Sequence, residues 1–69
     1  MKVYVFKTSV RQQDINNVGD IINLLVPDAL RNFDLDDCDN ILRVESNYDI
    51  VKEVCSELAK FGFFCQELQ

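Results

Sequence analysis

The segment 33–46, FDLDDCDNILRVES, constrains the fold more than any other part of this chain. It has the pattern of two short strands joined by an Asp-Cys-Asp-Asn turn. Before it, the sequence indicates a strand followed by a helix, and after it, a helix followed by a strand. This mirror arrangement predicts two β-α-β halves that contribute to one sheet.

The first half begins with a strand at 2–7, KVYVFK, in which both alternating rows are apolar. Such a pattern is typical of a central strand with both faces covered. A helix then begins between Ser9 and Asp14, which are the candidate N-caps. Pro27 ends this helix, because a residue that precedes proline is driven out of the helical region. The expected buried stripe is Ile15, Val18, Ile22 and Leu25.

The middle of the chain predicts a hairpin, with a second strand at 30–36 and a third at 41–46. Polar residues alternate with apolar ones in both strands. If the two polar rows share the outer face, Arg43 lies beside an aspartate of the neighbouring strand, a contact that contributes about 0.2 to 1 kcal/mol.

The second half begins with a helix that Ser46 or Asn47 is expected to cap. Gly62 ends the helix in the left-handed conformation, and a last strand covers 63–68. The expected buried stripe of this helix is Ile50, Val54, Leu58 and Phe61.

Right-handed crossovers in both halves give the strand order 4-1-3-2, with both helices on one face of the sheet. The predicted fold class is therefore α+β, a ferredoxin-like βαββαβ sandwich with a four-stranded antiparallel sheet. Residues 1–69 are expected to form a single domain. In this topology the loops at 8–14, 36–40 and 61–64 lie at the same end of the molecule.

Charge and composition exclude several classes of function. The net charge is −5 and the pI is about 4.4, so nucleic acids and anionic membranes would be repelled. No apolar run approaches the roughly 18 residues that a membrane-spanning helix needs. Three cysteines without paired spacing indicate reduced thiols and a cytoplasmic protein. The chain has no histidine, the usual general base.

The spacing of the apolar residues resembles that of the heavy-metal-associated domain family, to which small copper chaperones belong. In that family a Met-x-Cys-x-x-Cys motif precedes a helix with apolar residues four, eight and eleven positions past the second cysteine. Val18, Ile22 and Leu25 fit this register when Asp14 occupies the second cysteine position. The segments 33–35, Phe-Asp-Leu, and 58–63, ending in Gly-Phe, also match the family pattern.

The same register shows that the family's metal site is missing. Arg11 and Asp14 stand where the two cysteines would be, and Ser9 stands where the methionine would be. Cu(I) selects soft thiolate ligands, which an arginine and an aspartate cannot replace. Arg11 and Asp14 could instead form an ion pair within the loop, or simply be a solvated helix start. The resemblance implies a relative that keeps the scaffold without the copper chemistry.

Other residues offer candidate metal ligands. Cys38 and Cys65 are expected near the loop end, where they could form a soft-metal or redox pair. The acidic turn from Asp34 to Asp39, with Asp36 and Asp37, could attract a hard cation. As a calcium loop, however, it lacks the glycine required at the sixth position, where Asp39 stands. The alternative is a polar hairpin, and a buried core cysteine is the expected state of Cys55.

Two aromatic residues are candidates for an interface. The family register places Val3 and Val5 toward the helices, which leaves Tyr4 and Phe6 on the open face of the sheet. An exposed apolar patch of this kind usually marks a contact surface, although long side chains such as Arg43 could cover it. A second patch could form at the loop end from 61–64, with two of its three phenylalanines expected in the core.

The sequence therefore predicts a non-catalytic binding module without cofactors. It would act through a protein partner or a homodimer, with no nucleic acid or membrane as partner. The alternative is a metal-handling protein that uses Cys38 and Cys65 or the aspartate turn as ligands. Small-molecule sensing is a third hypothesis, and it rests on fold analogy alone.

Overall fold

The computed structural model describes residues 2–35 and 40–68. Its strands and helices follow the predicted order, with a short 3₁₀ turn before the first helix. The elements are β1 (Lys2–Thr8), the 3₁₀ turn (Gln12–Asp14), α1 (Ile15–Leu25), β2 (Leu30–Asp34), β3 (Ile41–Ser46), α2 (Val51–Lys60) and β4 (Cys65–Leu68). None of the helices in the described ranges is both long enough and apolar enough to cross a membrane.

The four strands form one antiparallel sheet in the order β2-β3-β1-β4. This is the predicted order 4-1-3-2 read from the opposite edge, so the predicted topology is confirmed. β1 and β3 occupy the centre, and β2 and β4 form the edges. The apolar character of both rows of β1 agrees with this central position.

A single core lies between the sheet and the two helices. Phe6, Leu42 and Val44 contribute from the central strands, and Val18 and Leu58 are among the residues that contribute from the helices. All five are fully buried. Because both helices bury their apolar stripes against the same row of the sheet, they cover one face, and among the described residues no helix lies against the other, which we call the open face.

The predicted orientation of β1 is wrong by one residue. Tyr4 opposes Val44 and Phe6 opposes Leu42 across the strand pair, and residues directly opposite each other share a face of the sheet. Phe6 is 0% exposed and Tyr4 packs against the core. Val3 and Val5 therefore lie on the open face, in place of Tyr4 and Phe6. With both rows apolar, the pattern of β1 does not determine which row packs against the helices.

The ends of the helices also differ from the prediction. The N-cap position of α2 is Ile50, whose side chain makes no capping hydrogen bond, so neither Ser46 nor Asn47 caps the helix. The N–H of Val51 donates to the Asp49 carboxylate at 3.0 Å. Phe61 follows the last helical residue and is 60% exposed, so it does not extend the buried stripe. Gly62 has a φ of 86°, and the predicted left-handed end of this helix is confirmed.

The strand boundaries shift by a few residues. β2 ends at Asp34 and β4 begins at Cys65, so both edge strands are shorter than predicted. Pro27 lies two residues beyond the end of α1, in agreement with its role as a helix stop.

Gly19, in the middle of α1, makes room for a side chain from the sheet. A Cβ atom at this position would lie 2.9 Å from Nη2 of Arg31, which is closer than van der Waals contact allows. The Arg31 guanidinium crosses the helix there and donates to the side chain of Asn23 through Nη1, with a separation of 2.5 Å. The glycine that weakens the helix in isolation thus leaves space for the Arg31 side chain to lie across α1.

Candidate functional site

Three loops meet at one end of the molecule, and hydrogen bonds connect them. The Thr8 hydroxyl donates to the carbonyl of Asn40 at 2.7 Å, which links β1 to the start of β3. The Ser9 N–H donates to the Phe64 carbonyl at 3.1 Å, and the Phe64 N–H donates to the Ser9 hydroxyl at 2.8 Å. The predicted proximity of the loops is confirmed for these residues.

Arg11 and Asp14 organise the start of the first helix. The Asp14 carboxylate accepts the backbone N–H of Arg11 at 3.1 Å, and the Asp14 N–H donates to the Arg11 carbonyl at 2.8 Å. An acidic residue at this position also interacts favourably with the helix dipole. Asp14 thus contacts the backbone of Arg11. The contact closes a turn at the position where heavy-metal-associated domains carry their two metal-binding cysteines.

Most of the predicted acidic turn lies outside the described residues. Asp36, Asp37 and Cys38, which the sequence singles out as candidate ligands, lie outside the described residues, as does Asp39. Asp34 is described, and its Oδ2 lies 3.8 Å from Nη1 of Arg43. The expected contact between Arg43 and an aspartate of β2 is therefore confirmed.

Cys65 has a described thiol neighbour that the sequence did not suggest. Its Sγ lies 3.3 Å from Sγ of Cys55 in α2, and both thiols are free and half-buried. Burial, the hydrogen bond with Cys55 and the charge that Cys55 can carry all raise the pKa of Cys65. The sequence places the two cysteines in different elements, so only the packing of α2 against β4 reveals that they meet. In the described part of the chain, no three His, Cys, Asp or Glu residues cluster as metal ligands would.

The loop end also exposes aromatic side chains. Phe61 and Phe64 are exposed and Phe63 is half-buried, so only one of the three joins the core, where the sequence predicts two. Phe61 and Phe63 line a groove of about 330 Å³ together with Asn17 and Ile21 of α1.

The open face of the sheet is a second apolar surface. Val3 is 54% exposed and Leu30 is 61% exposed, and Leu68 is also partly exposed. Val3 and Leu30 flank Glu45 on neighbouring strands, and Leu68 opposes the half-buried Val5. A groove of about 280 Å³ runs across β1, β2 and β3, and Val3, Leu30 and Glu45 are among the residues that line it. Of the apolar residues on this face, the sequence assigned only Val3 and Val5 to a face, and it assigned them to the opposite one.

Charges on the open face balance among the described residues. By strand alternation, Lys7 and Arg43 lie on this face with Asp34 and Glu45. Two cations and two carboxylates leave the face neutral, although the whole chain carries −5. The excess acid of the described residues lies outside this face, in the loops and helices.

Comparison of the chain with models of known protein families, with curated proteins and with solved structures found no match.

Proposed function

We propose that this protein is a non-catalytic binding module that associates with a second copy of itself through the open face of its sheet. The observation that carries this proposal is the patch formed by Val3, Val5, Leu30 and Leu68, exposed or half-buried on a face that no helix covers. Exposed apolar patches on small proteins of this kind commonly serve as contact surfaces.

The balanced charge favours a second copy as the partner. Two molecules with a net charge of −5 repel each other at long range. The open face presents equal numbers of described cations and carboxylates, so this repulsion is weakest there. In a two-fold arrangement each copy presents the same patch, and Arg43 of one copy can approach Glu45 of the other.

The size of the sheet limits the area of the contact. β1 has seven residues, which gives a length of about 23 Å, and four strands give a width of about 14 Å between the outer strands. The projected area is on the order of 300 to 400 Å², well below the roughly 800 Å² per partner of a standard interface. We therefore expect a weak dimer, with a dissociation constant on the order of 10 to 100 µM.

The same proposal includes the finer fold assignment and the family resemblance. The element order βαββαβ and the strand order β2-β3-β1-β4 support a ferredoxin-like domain. The resemblance to heavy-metal-associated domains rests on the spacing of Val18, Ile22 and Leu25. We propose a member of that scaffold class in which contacts between chains replace Cu(I) binding, and in which the cytoplasm is the site of action.

Sedimentation velocity over a concentration series tests the dimer. The weight-average mass of the wild-type protein should rise from 8.0 kDa toward twice that value as the concentration increases. Val3→Lys should remain monomeric, because it places a charge within the proposed contact surface. This substitution sets a lysine opposite Glu45, so it preserves the strand pair.

Leu24→Lys is the matched control. Leu24 is 86% exposed on α1, away from the open face, and the substitution changes the net charge by the same amount. Dimerisation should persist in this variant. If the wild-type protein stays monomeric throughout the series, or if Val3→Lys associates as strongly as Leu24→Lys, the proposed function is wrong. Circular dichroism of both variants establishes that they are folded.

A further inference from the structure

Cys55 and Cys65 lie in two consecutive elements, α2 and β4, and their side chains are in contact. Cys55 lies in the second turn of α2, and Cys65 is the first residue of β4, where it pairs with Thr8. The Sγ atoms are 3.3 Å apart, and both thiols are free. A disulfide bond requires about 2.05 Å, so the sulfurs need to approach by only about 1.3 Å.

The backbone between the two cysteines holds them in this arrangement. The N–H groups of Phe61 and Phe63 both donate to the Leu58 carbonyl, at 3.1 and 2.9 Å, and the Gly62 N–H donates to the Ala59 carbonyl at 3.0 Å. These bonds close the end of α2 and turn the chain directly into β4. The encounter of the thiols is therefore built into the fold and does not depend on a long flexible loop.

The number of possible metal ligands near the two thiols distinguishes a redox-active cysteine pair from a metal site. A zinc ion bound tetrahedrally needs four ligands, each sulfur at about 2.3 Å from the ion. In the described ranges the two thiols have no third Cys, His, Asp or Glu grouped with them. Two neighbouring thiols without further ligands have the arrangement of a dithiol that can be oxidised.

We propose that Cys55 and Cys65 are a modification site, and that they form a reversible intramolecular disulfide by exchange with a small-molecule disulfide such as glutathione disulfide.

The exchange balances with glutathione disulfide as the oxidant. One cysteine loses its proton and its thiolate attacks a sulfur of glutathione disulfide, which forms a mixed disulfide and releases one glutathione thiolate. The other cysteine, after losing its proton, attacks the protein sulfur of that mixed disulfide and releases the second glutathione. Two electrons pass to the glutathione sulfurs, and the two protons yield two glutathione thiols.

Burial makes the exchange depend on pH. The raised pKa of Cys65 keeps its thiol protonated near neutral pH, and the thiolate is the reactive form. The rate of exchange should therefore increase as the pH rises through the neutral and alkaline range.

The oxidised protein should also be more stable than the reduced protein, with a thermal midpoint higher by about 10 °C, because the disulfide closes a short loop in the unfolded state.

Intact mass and peptide mapping test the site. Cys38→Ser removes the third thiol, and this variant is equilibrated with a glutathione redox buffer. It should lose the mass of two hydrogens, remain free of glutathione adducts and yield a linked peptide that contains Cys55 and Cys65. The disulfide-to-dithiol ratio should be at least tenfold higher in the folded protein than in guanidinium, where the thiols are not held together.

Two further variants provide the controls. Cys38→Ser combined with Cys55→Ser, or with Cys65→Ser, leaves one thiol, and each should form a mixed disulfide with glutathione. The proposal is overturned if the Cys38→Ser protein accumulates mixed disulfides or intermolecular dimers, if it stays reduced, or if denaturation does not change the ratio. A link from Cys38 to Cys65 in the wild-type protein would overturn it as well. These results do not depend on dimerisation.

Discussion

At the scale of single residues, the environment of Cys65 has a consequence for stability. The pKa of this thiol is raised from its ordinary value of 9.0, first by burial and then by Cys55. In the unfolded chain the thiol ionises near its ordinary value, whereas in the folded protein it stays protonated to a higher pH. The unfolded state is therefore favoured as the pH rises above about 9.

We expect the urea midpoint of the reduced protein to fall between about pH 8 and about pH 10. Cys65→Ala should show a smaller decrease, because it removes the group. The decrease for Cys55→Ala should lie between those of the wild-type protein and Cys65→Ala. This substitution removes the smaller causes of the raised pKa of Cys65 and leaves burial in place. Equal decreases in all three proteins would show that Cys65 does not ionise differently in the folded and unfolded states.

At the scale of elements, Thr8 connects β1, the following loop and β3. Its hydroxyl donates to the Asn40 carbonyl at 2.7 Å and accepts the Val10 N–H at 3.1 Å, and the residue is 5% exposed. Thr8→Val preserves shape but leaves both backbone groups without this partner. We expect a decrease of about 1 to 3 kcal/mol in the free energy of unfolding, measured by urea denaturation.

Thr8→Ser is the control for this element, because it retains the hydroxyl and loses only a methyl group. It should recover most of the stability that Thr8→Val loses. If the two variants are equally destabilised, the lost packing of the side chain, and not the hydrogen bonds, connects the loop to the sheet.

The elements also show which features the sequence could predict. Local periodicity and the handedness of crossovers predict the strand order, the stops at Pro27 and Gly62 and the centres of the two helix stripes. At the ends of the stripes, Ile15 is only half-buried and outside the core, and Phe61 is exposed.

The orientation of β1 does not follow from local periodicity, because a strand with two apolar rows fits the core either way. The start of α2 after Ile50, and not after Ser46 or Asn47, depends on where the loop turns, which the local pattern leaves open.

The candidate site was less predictable than the fold for a similar reason. Tyr4 and Phe6 were assigned to the open face, and correcting this one-residue shift moves the patch to Val3, Leu30 and Leu68. The Cys55 and Cys65 pair depends on how α2 packs against β4, a tertiary contact between residues ten positions apart. No spacing rule for strands or helices encodes that contact.

At the scale of the whole molecule, 69 residues give a core that is expected to stabilise the fold by only about 3 to 5 kcal/mol. Leu58 is 0% exposed at the centre of that core. Leu58→Ala should cost about 2 to 5 kcal/mol, so the variant should be largely unfolded at room temperature. Circular dichroism during a thermal melt measures this directly.

Leu24→Ala is the matched substitution on the surface. It should change stability by no more than about 0.5 kcal/mol, because Leu24 makes little contact with the core. If Leu58→Ala melts at the same temperature as Leu24→Ala, the stability of the domain does not depend on the core described above.

The packing of Arg31 over Gly19 affects which substitutions these two positions can accept during evolution. A Cβ at position 19 and the guanidinium of Arg31 compete for the same space, so a side chain at position 19 requires Arg31 to swing away from α1 and to give up its hydrogen bond with Asn23. In homologues of this chain, we expect a larger residue at position 19 to be accompanied by a shorter side chain at position 31. The two positions, twelve residues apart, should thus covary as a pair.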